Sequence, residues 1–428
     1  MKKRIIATLL AGIMALSLAA CGGTAAAPAA PAEPAKEEAA AEEPAAEEAA
    51  EAEEAEEAEA PAESTGDKPV VKVAVMCPQS GESARFGELY KAAITAAMKV
   101  VEEDKMLNDY TLEFEFIDDK GTTEGAPIAA NYALDQYGCN ISIGHLLTTM
   151  ILADGQYFED AETPLLGIVS GPASVSQGWE YVSIETGTDY SQADTLIDYL
   201  INDVGSENIG LVNINTEGGM SAATEIERYL KETYGKDLAT HDQMTNEDTD
   251  YTSIALNMKN ANVDTVIFWG LTQSAGQLCY TAVKQYVGEL KAFAGGTNLA
   301  QAQVADTWNE EDAVGVVFPV GYIPDENNAL QPRIREYFTA EDPQHQELAD
   351  VPARVVDSIF HICTALNNLG PADPTAEGFN AELNKQIRAA SFDGVQGHFD
   401  FSANDNGVGL NVMNIGVWEE GFVQSKVK

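Results

Sequence analysis

The chain has 428 residues, of which 45% are hydrophobic, and its formal net charge is −45, from 24 Lys and Arg against 69 Asp and Glu. This length allows two or three domains, and the apolar fraction is sufficient for buried cores. Nucleic-acid binding requires a basic surface that neutralises phosphates, so the composition argues against such a partner. Five cysteines in a chain of this length exclude a disulfide-rich scaffold.

Residues 1–20 have the pattern of an export signal. A basic start at 2–4 is followed by an apolar stretch at 5–18, which is too short to be a convincing membrane span. The stretch ends in Leu-Ala-Ala-Cys at 18–21, which resembles the bacterial lipobox, whose cysteine is acylated and becomes the mature N-terminus. An ordinary signal peptide with a chance cysteine is the alternative. We expect Cys21 to carry a lipid that anchors the chain to the extracytoplasmic face of the cell membrane.

The next segment, 21–67, is predicted to be the acylated cysteine followed by a disordered linker. Residues 22–66 are mostly Ala, Glu and Pro, with 14 Glu and no aromatic residue, Val, Ile or Leu. Without apolar side chains, burial cannot offset the entropy lost on ordering, and like charges extend such a segment. It reads as a spacer between the membrane and a folded domain, and we assign no partner to it.

From residue 68 onward, strand and helix patterns alternate. The first set of predicted elements comprises strands at 70–76, 112–117, 141–143 and 165–169, with helices at 87–104, around 129–133 and at 150–162. The second set comprises strands at 209–214, 265–268, 291–294 and 314–320, with helices at 191–202, 221–234, 251–260 and 273–286. Helices near 331–339, 351–369 and 375–388 then precede strands near 398–401 and 410–418.

This order predicts an α/β protein with two doubly wound parallel-sheet lobes. Strands that alternate with helices favour a parallel sheet with helices on both faces, and two successive sets favour two such lobes. The late helices indicate that the chain crosses back to an earlier lobe. We therefore expect discontinuous lobes joined by several hinge strands.

Several short motifs occur in a characteristic order. They are Val73-Ala74-Val75, Pro78-Gln79-Ser80-Gly81, Phe86-Gly87, Asp118-Asp119, Ile143-Gly144-His145-Leu146, Thr148-Thr149 and Thr186-Gly187-Thr188-Asp189. With these motifs, nearly all of 69–428 resembles the leucine/isoleucine/valine-binding family of ABC-importer solute-binding proteins, which have the type I periplasmic-binding fold. The resemblance implies a first lobe at 69–188 plus 323–407 and a second at 189–322 plus 408–428. It also implies a ligand cleft between the lobes, closure by a hinge, and delivery of the ligand to permease subunits.

Candidate binding residues follow the strands of the first lobe. Ligands of parallel sheets bind beyond the C-terminal strand ends, near helix N-termini, which points to 78–86, Leu147–Thr149 and Ile168–Ser170. Thr148 and Thr149 are expected to cap the helix at 150–162 and to offer hydroxyl and N–H donors to an anion, or to act only as caps.

The resemblance assigns roles to four residues of this lobe. It implies that the hydroxyls of Thr148 and Ser170 bind a ligand carboxylate and that the Ile168 carbonyl accepts from an amine. It also implies that Phe86 walls the pocket, although simple core packing would explain Phe86 equally well.

The second lobe departs from the family pattern. Thr297, followed by Asn298, stands where the family usually places a Glu that pairs with the ligand ammonium. At two positions where the family has a tyrosine, this chain has Gly218 and Leu271. An unpaired buried ammonium is costly, and either Glu217 or Asp189 could substitute for the acid, although nothing in the sequence requires it.

Arg354 is a further departure, because it aligns with a family aromatic at the cleft. It either binds a ligand carboxylate through two parallel hydrogen bonds or is an ordinary solvated or ion-paired arginine. Together these departures suggest a ligand with a carboxylate that lacks the usual ammonium contact.

The sequence contains no strong catalytic or cofactor motif. It has no Cys-x-x-Cys, His-Glu-x-x-His or P-loop, and its five histidines are far apart, so we predict no enzyme, cofactor or metal. His145 follows a strand and is expected to fix a loop. Cys77 and Cys139 are both expected at the cleft edge of the first lobe, either as a disulfide or as buried thiols.

The predicted function is solute binding for an ABC importer, with an amino acid or other small carboxylate as ligand. The alternatives are a sensor lipoprotein with the same cleft, or a ligand such as an aromatic acid, keto acid or amide.

Overall fold

A computed structural model describes residues 68–427, except 82, 246, 271, 301–303, 343, 345, 346 and 404. The predicted signal peptide, Cys21 and the whole predicted linker lie outside the described residues. No helix in the described part of the chain is long and apolar enough to cross a membrane.

The first sheet is parallel throughout. Its strands are β1 (Val70–Cys77), β2 (Thr111–Asp118), β3 (Ile141–Ile143), β4 (Leu165–Gly167) and β5 (Val182–Ile184), in the order β2-β1-β3-β4-β5. Its connecting helices are α1 (Ala84–Glu103), α2 (Ala126–Asn131) and α3 (Thr148–Asp160). Strands β3 and β4 are buried along their whole length, which explains why the sequence shows them as short, mainly apolar runs.

The second sheet is parallel in its centre and antiparallel at one edge. Its strands are β6 (Ile209–Ile214), β7 (Thr240–Met244), β8 (Thr265–Trp269), β9 (Ala292–Gly295), β10 (Val317–Val320), β13 (Asn414–Glu419) and β14 (Val423–Lys426). Strand β13 pairs antiparallel with both β10 and β14. The helices of this part are α4 (Asp189–Asn202), α5 (Glu217–Tyr234), α6 (Thr252–Asn260), α7 (Gln273–Tyr286), α8 (Val304–Thr307) and α9 (Glu310–Ala313). The strands β11 (Ser391–Asp393) and β12 (His398–Asp400) form a separate hairpin.

Three late helices return to the first sheet. They are α10 (Gln331–Glu341), α11 (Asp350–Leu369) and α12 (Phe379–Arg388). One buried apolar cluster combines side chains of β1, β3 and α1 with Ile334 of α10, Phe360 of α11 and Leu383 of α12. At the periphery, the Tyr110 hydroxyl donates to the carbonyl of Gly370 at 2.5 Å, and Arg333 pairs with Asp104 at 2.8 Å. The late part of the chain is therefore built into the core around the first sheet.

The predicted fold class is confirmed: the chain is an α/β protein with two sheets of mainly parallel strands. The lobe boundaries given above remain a prediction. The sequence reading missed β5, β7, β11 and β14. Of these, β7 has the sequence Thr-His-Asp-Gln-Met and alternates between buried and exposed positions at the sheet edge, so it lacks the continuous apolar run that marks the central strands.

The prediction that Cys77 and Cys139 both flank the cleft edge is wrong for Cys139. In the parallel pair β1–β3, Val73 lies opposite Ile141, so Cys139 precedes β3 at the N-terminal edge of the sheet, whereas Cys77 ends β1 at the C-terminal edge. The four described cysteines, Cys77, Cys139, Cys279 and Cys363, are all buried free thiols. Burial raises the pKa of the Cys77 thiol to about 12, which keeps it protonated and unreactive.

Replacing Leu366, a fully buried residue of α11, tests whether the returning helix is part of the core. We expect Leu366→Ala to lower the free energy of unfolding by about 2–5 kcal/mol, because it leaves a cavity between the helices. The matched control is Leu256→Ala, at a leucine of α6 that is 41% exposed, with an expected loss below about 1 kcal/mol. Urea unfolding of both variants measures the difference, and equal losses would contradict the packing role of α11.

Candidate functional site

The C-terminal ends of β3 and β4 lead into two adjacent loops. The first loop enters α3, whose N-cap is Leu147, a residue that is 48% exposed. Thr148 and Thr149 are the first two residues of that helix, and the N-cap makes no side-chain hydrogen bond. The prediction that the two threonines cap the helix is therefore wrong. They lie instead in the first turn, where backbone N–H groups have no partner within the helix.

Gly171 allows the second loop to approach Thr148 closely. A Cβ atom placed on Gly171 would lie 2.4 Å from the Thr148 hydroxyl oxygen, so any larger residue would push the loops apart. Ser170, which precedes this glycine, is partly exposed. The structure thus brings Thr148 close to the loop that carries Ser170, a residue 22 positions later in the sequence.

Asp189 lies beside Ser170 at the start of α4. Its backbone N–H donates to the Ser170 carbonyl at 3.1 Å, and its carboxylate accepts from the Gln192 amide at 3.1 Å. Burial raises the pKa of Asp189 to about 6, although the positive charge of Arg354 and these hydrogen bonds favour the ionised form. Sequence reasoning named Asp189 only as a substitute acid, and the structure puts it in contact with a predicted binding residue.

Arg354, in the first turns of α11, reaches the C-terminal end of β4. It is only 8% exposed, and its Nη1 donates to the Ile168 carbonyl at 3.1 Å. Its Nη2 is paired with Asp350, one helical turn earlier. Both terminal nitrogens therefore make contacts inside the protein, whereas Nε is buried without a hydrogen-bond partner, so bidentate binding of a ligand carboxylate stays a prediction. The ion-paired alternative is the one that the structure shows.

The remaining predicted residues lie in other surroundings. Phe86 is partly exposed and packs against the apolar cluster under α1. Thr297 and Asn298 begin a short 3₁₀ turn after β9, in the second sheet, where the Asn298 carbonyl accepts from Gln273 at 3.1 Å. Gly218 lies in the first turn of α5, and Leu271 lies outside the described residues.

A buried ion-paired histidine lies next to the first loop. His145 Nδ1 is 2.7 Å from an Asp119 carboxylate oxygen, and His145 Nε2 is 2.7 Å from one of Asp154, with all three side chains fully buried. Burial disfavours the charged ring, but the hydrogen bonds from the two carboxylates outweigh it and raise the pKa of His145 to about 9. The protonated ring ties the end of β2 and helix α3 to the loop that carries Thr148.

Two of these three residues lie in motifs that the sequence had singled out, Asp119 and His145. The third, Asp154, looked like an ordinary polar position within a helix. Among the described residues, no group of three or more His, Cys, Asp or Glu side chains is arranged to hold a metal ion. The first turn of α3 offers hydroxyl and N–H donors at this edge, and both ring nitrogens of His145 are taken up by carboxylates rather than by a serine, threonine or cysteine.

Comparison with known proteins identifies the family of this chain. The sequence profile of the family described as periplasmic binding protein matches residues 70–421. The chain belongs to this family of type I periplasmic-binding proteins, as the sequence motifs predicted. Its members are binding proteins and not enzymes, which confirms that part of the prediction.

Individual relatives are distant. The chain is 20% identical over 333 residues to a leucine-, isoleucine-, valine-, threonine- and alanine-binding protein of Pseudomonas aeruginosa, which covers 77% of this chain and 85% of the relative. A putative branched-chain amino acid ABC transporter protein of Rhodospirillum rubrum superposes with a TM-score of 0.73 at 13% identity, covering 84% of this chain and all of that one. A solute-binding protein of Rhodopseudomonas palustris in complex with 4-hydroxybenzoate superposes with a TM-score of 0.64 at 14% identity, covering 84% of this chain and 95% of that one. At these identities the structural matches establish the fold alone.

The ion pairs of His145 predict a stability that depends on pH. The folded-state pKa of about 9 lies above the ordinary histidine value of about 6.5, so the stabilisation is complete below pH 6.5 and is lost as the pH rises through 9. We expect the free energy of unfolding to fall by about 3 kcal/mol over this range and the fall to be much smaller in His145→Gln. His398→Gln, at a histidine with a 62% exposed side chain, is the matched control. Urea unfolding at pH 6.5 and 9 measures both, and an unchanged slope in His145→Gln would refute the assignment.

Proposed function

We propose that this protein is a lipid-anchored, extracytoplasmic solute-binding protein of an ABC importer. It binds a small amino-acid-like or carboxylate metabolite in a cleft between two lobes and delivers it to the permease. The observation that carries this proposal is the convergence of the Thr148 and Ser170 loops at the C-terminal edge of the first sheet, at the first turn of α3.

This edge suits a carboxylate for two physical reasons. The free N–H groups and the partial positive charge at the start of α3 attract an anion, as helix N-termini generally do. The hydroxyls of Thr148 and Thr149 add donors whose orientation adapts to the anion. Leu147, largely exposed beside them, offers an apolar surface for the rest of the ligand.

The second lobe completes the site in this proposal. It would comprise 189–322 and 408–428, and would bring Thr297, Asn298, Gly218 and Leu271 to the ligand from the opposite side, against the first lobe at 69–188 and 323–407. A ligand that contacts both lobes stabilises the closed form by its greater affinity for that form. The permease would then recognise the closed, loaded protein.

The relatives support the ligand class in general terms. The Pseudomonas protein is named for five amino acids, and the R. palustris protein was solved with a benzoate. What these ligands share is a carboxylate on a compact apolar body. We infer the same general chemistry for this chain.

Removing the Thr148 hydroxyl tests the carboxylate site. A thermal-shift panel of amino acids, keto acids and aromatic acids first identifies the tightest ligand. We expect Thr148→Val to weaken that ligand about 10- to 100-fold in calorimetry, because a hydrogen bond to a charged group is lost. Thr95→Val, which removes an exposed threonine hydroxyl on α1, is the control and leaves the affinity unchanged. Equal affinities of Thr148→Val and the wild type would remove Thr148 from the site.

Replacing Cys21 tests the anchor. In cells, we expect the wild type to incorporate a labelled fatty acid and to fractionate with membranes, and Cys21→Ser to do neither, because the serine provides no thiol for acylation. The control is Cys279→Ser, at a buried thiol that is not expected to be modified. Membrane association of unlabelled Cys21→Ser would contradict the lipid anchor while leaving the binding function intact.

A further inference from the structure

A ligand ammonium near Ser170 would need an oxygen acceptor that carries negative charge or is otherwise free. Three positions near the ends of β4 and β9 are candidates: the carbonyl of Ile168, the carboxylate of Asp189, and the side chain at position 297. The structure shows hydrogen bonds to the first two of them. Buried ions are stable only when they are paired and hydrogen-bonded, so the state of these three acceptors decides whether an ammonium can be held.

The Ile168 carbonyl is already used by a cation of the protein itself. Arg354 donates to it from Nη1 at 3.1 Å and is paired through Nη2 with Asp350. A second cation at this carbonyl would have to displace a guanidinium that is 8% exposed, or lie directly against it. Displacement would also leave the carboxylate of Asp350 without its partner.

The carboxylate of Asp189 already has a positive neighbour. It accepts from the Gln192 amide at 3.1 Å, and the positive charge of Arg354 favours its ionised form. At the third position Thr297 carries no charge. An ammonium at the Ile168 carbonyl would therefore meet the like charge of Arg354, and position 297 would supply no opposite charge.

We propose that the ligand is a carboxylate without an α-ammonium group, such as a 2-oxo acid or an aromatic acid, and that Arg354 determines this specificity. In this proposal the Arg354 guanidinium occupies the position that the α-ammonium of an amino acid would occupy in a site with an acidic residue. The α3 N-terminus and Thr148 still hold the carboxylate. This inference rests on the proposed solute-binding function and narrows its ligand class.

The test compares pairs of ligands that differ only at the amine. Calorimetry on the full chain measures L-leucine against 4-methyl-2-oxopentanoate, and L-phenylalanine against phenylpyruvate. We expect the oxo acid of at least one pair to bind at least about tenfold more tightly than its amino acid. If the amino acids bind as tightly as the oxo acids or more tightly, the ammonium-free ligand class is wrong but the solute-binding function stands. If no compound of these pairs or of the wider panel binds, the proposed function fails, and this inference fails with it.

Variants at Arg354 test its role separately. The double variant Arg354→Met with Asp350→Asn removes both charges, so neither is left buried alone, and it frees the Ile168 carbonyl. We expect its preference to shift towards the amino acid of each pair by about tenfold or more relative to the wild type. Arg354→Lys keeps a cation and is expected to keep the wild-type preference. A double variant that folds, as judged by its circular dichroism and thermal unfolding, yet keeps the wild-type preference would overturn the role of Arg354. If the double variant does not fold, loss of the preference in Arg354→Lys would overturn it and retention would support it.

Discussion

The contact between Arg354 and the Ile168 carbonyl depends on the return of α11 to the first sheet. The two residues are 186 positions apart, and only the packing of α10, α11 and α12 against α1 brings them together. That packing is apolar and extensive, with side chains such as Ile359 and Phe360 almost completely buried. Burial of apolar surface in this core stabilises the molecule enough to hold a charged guanidinium in its interior.

Two cations near the C-terminal edge of the first sheet are paired with carboxylates. Arg354 is held by Asp350, and His145 by Asp119 and Asp154. Removing one partner from such a pair costs far more than the pair contributes as a whole, because an uncompensated charge is left in a poorly polarisable interior. These pairs therefore fix positions more than they add stability. The pairs of His145 orient the loop that precedes α3, and the pair of Arg354 with Asp350 holds the guanidinium at the end of β4.

A parallel sheet constrains where a solute can bind, because the carboxyl ends of all its strands meet at one edge. In this protein the edge of the first sheet collects Leu147, Thr148, Ser170 and Asp189, and Gly171 permits the close approach of the two loops. The family relationship is consistent with this picture.

The sequence by itself determined the fold class, the family and most of the central strands, because buried parallel strands are continuous apolar runs and the helices between them have clear periodicity. It also located Thr148 and Ser170 beside strand ends. It did not reveal the edge strand β7, whose polar residues resemble a loop, or the placement of Cys139 at the far end of the sheet from Cys77, which follows from strand register. Only the tertiary structure decided that Arg354 points to Ile168 and Asp350 and that His145 lies between two carboxylates. Those contacts join residues that are distant in the chain, or one turn apart on a helix among many polar positions, and no local pattern distinguishes a side chain turned into the core from one turned to solvent.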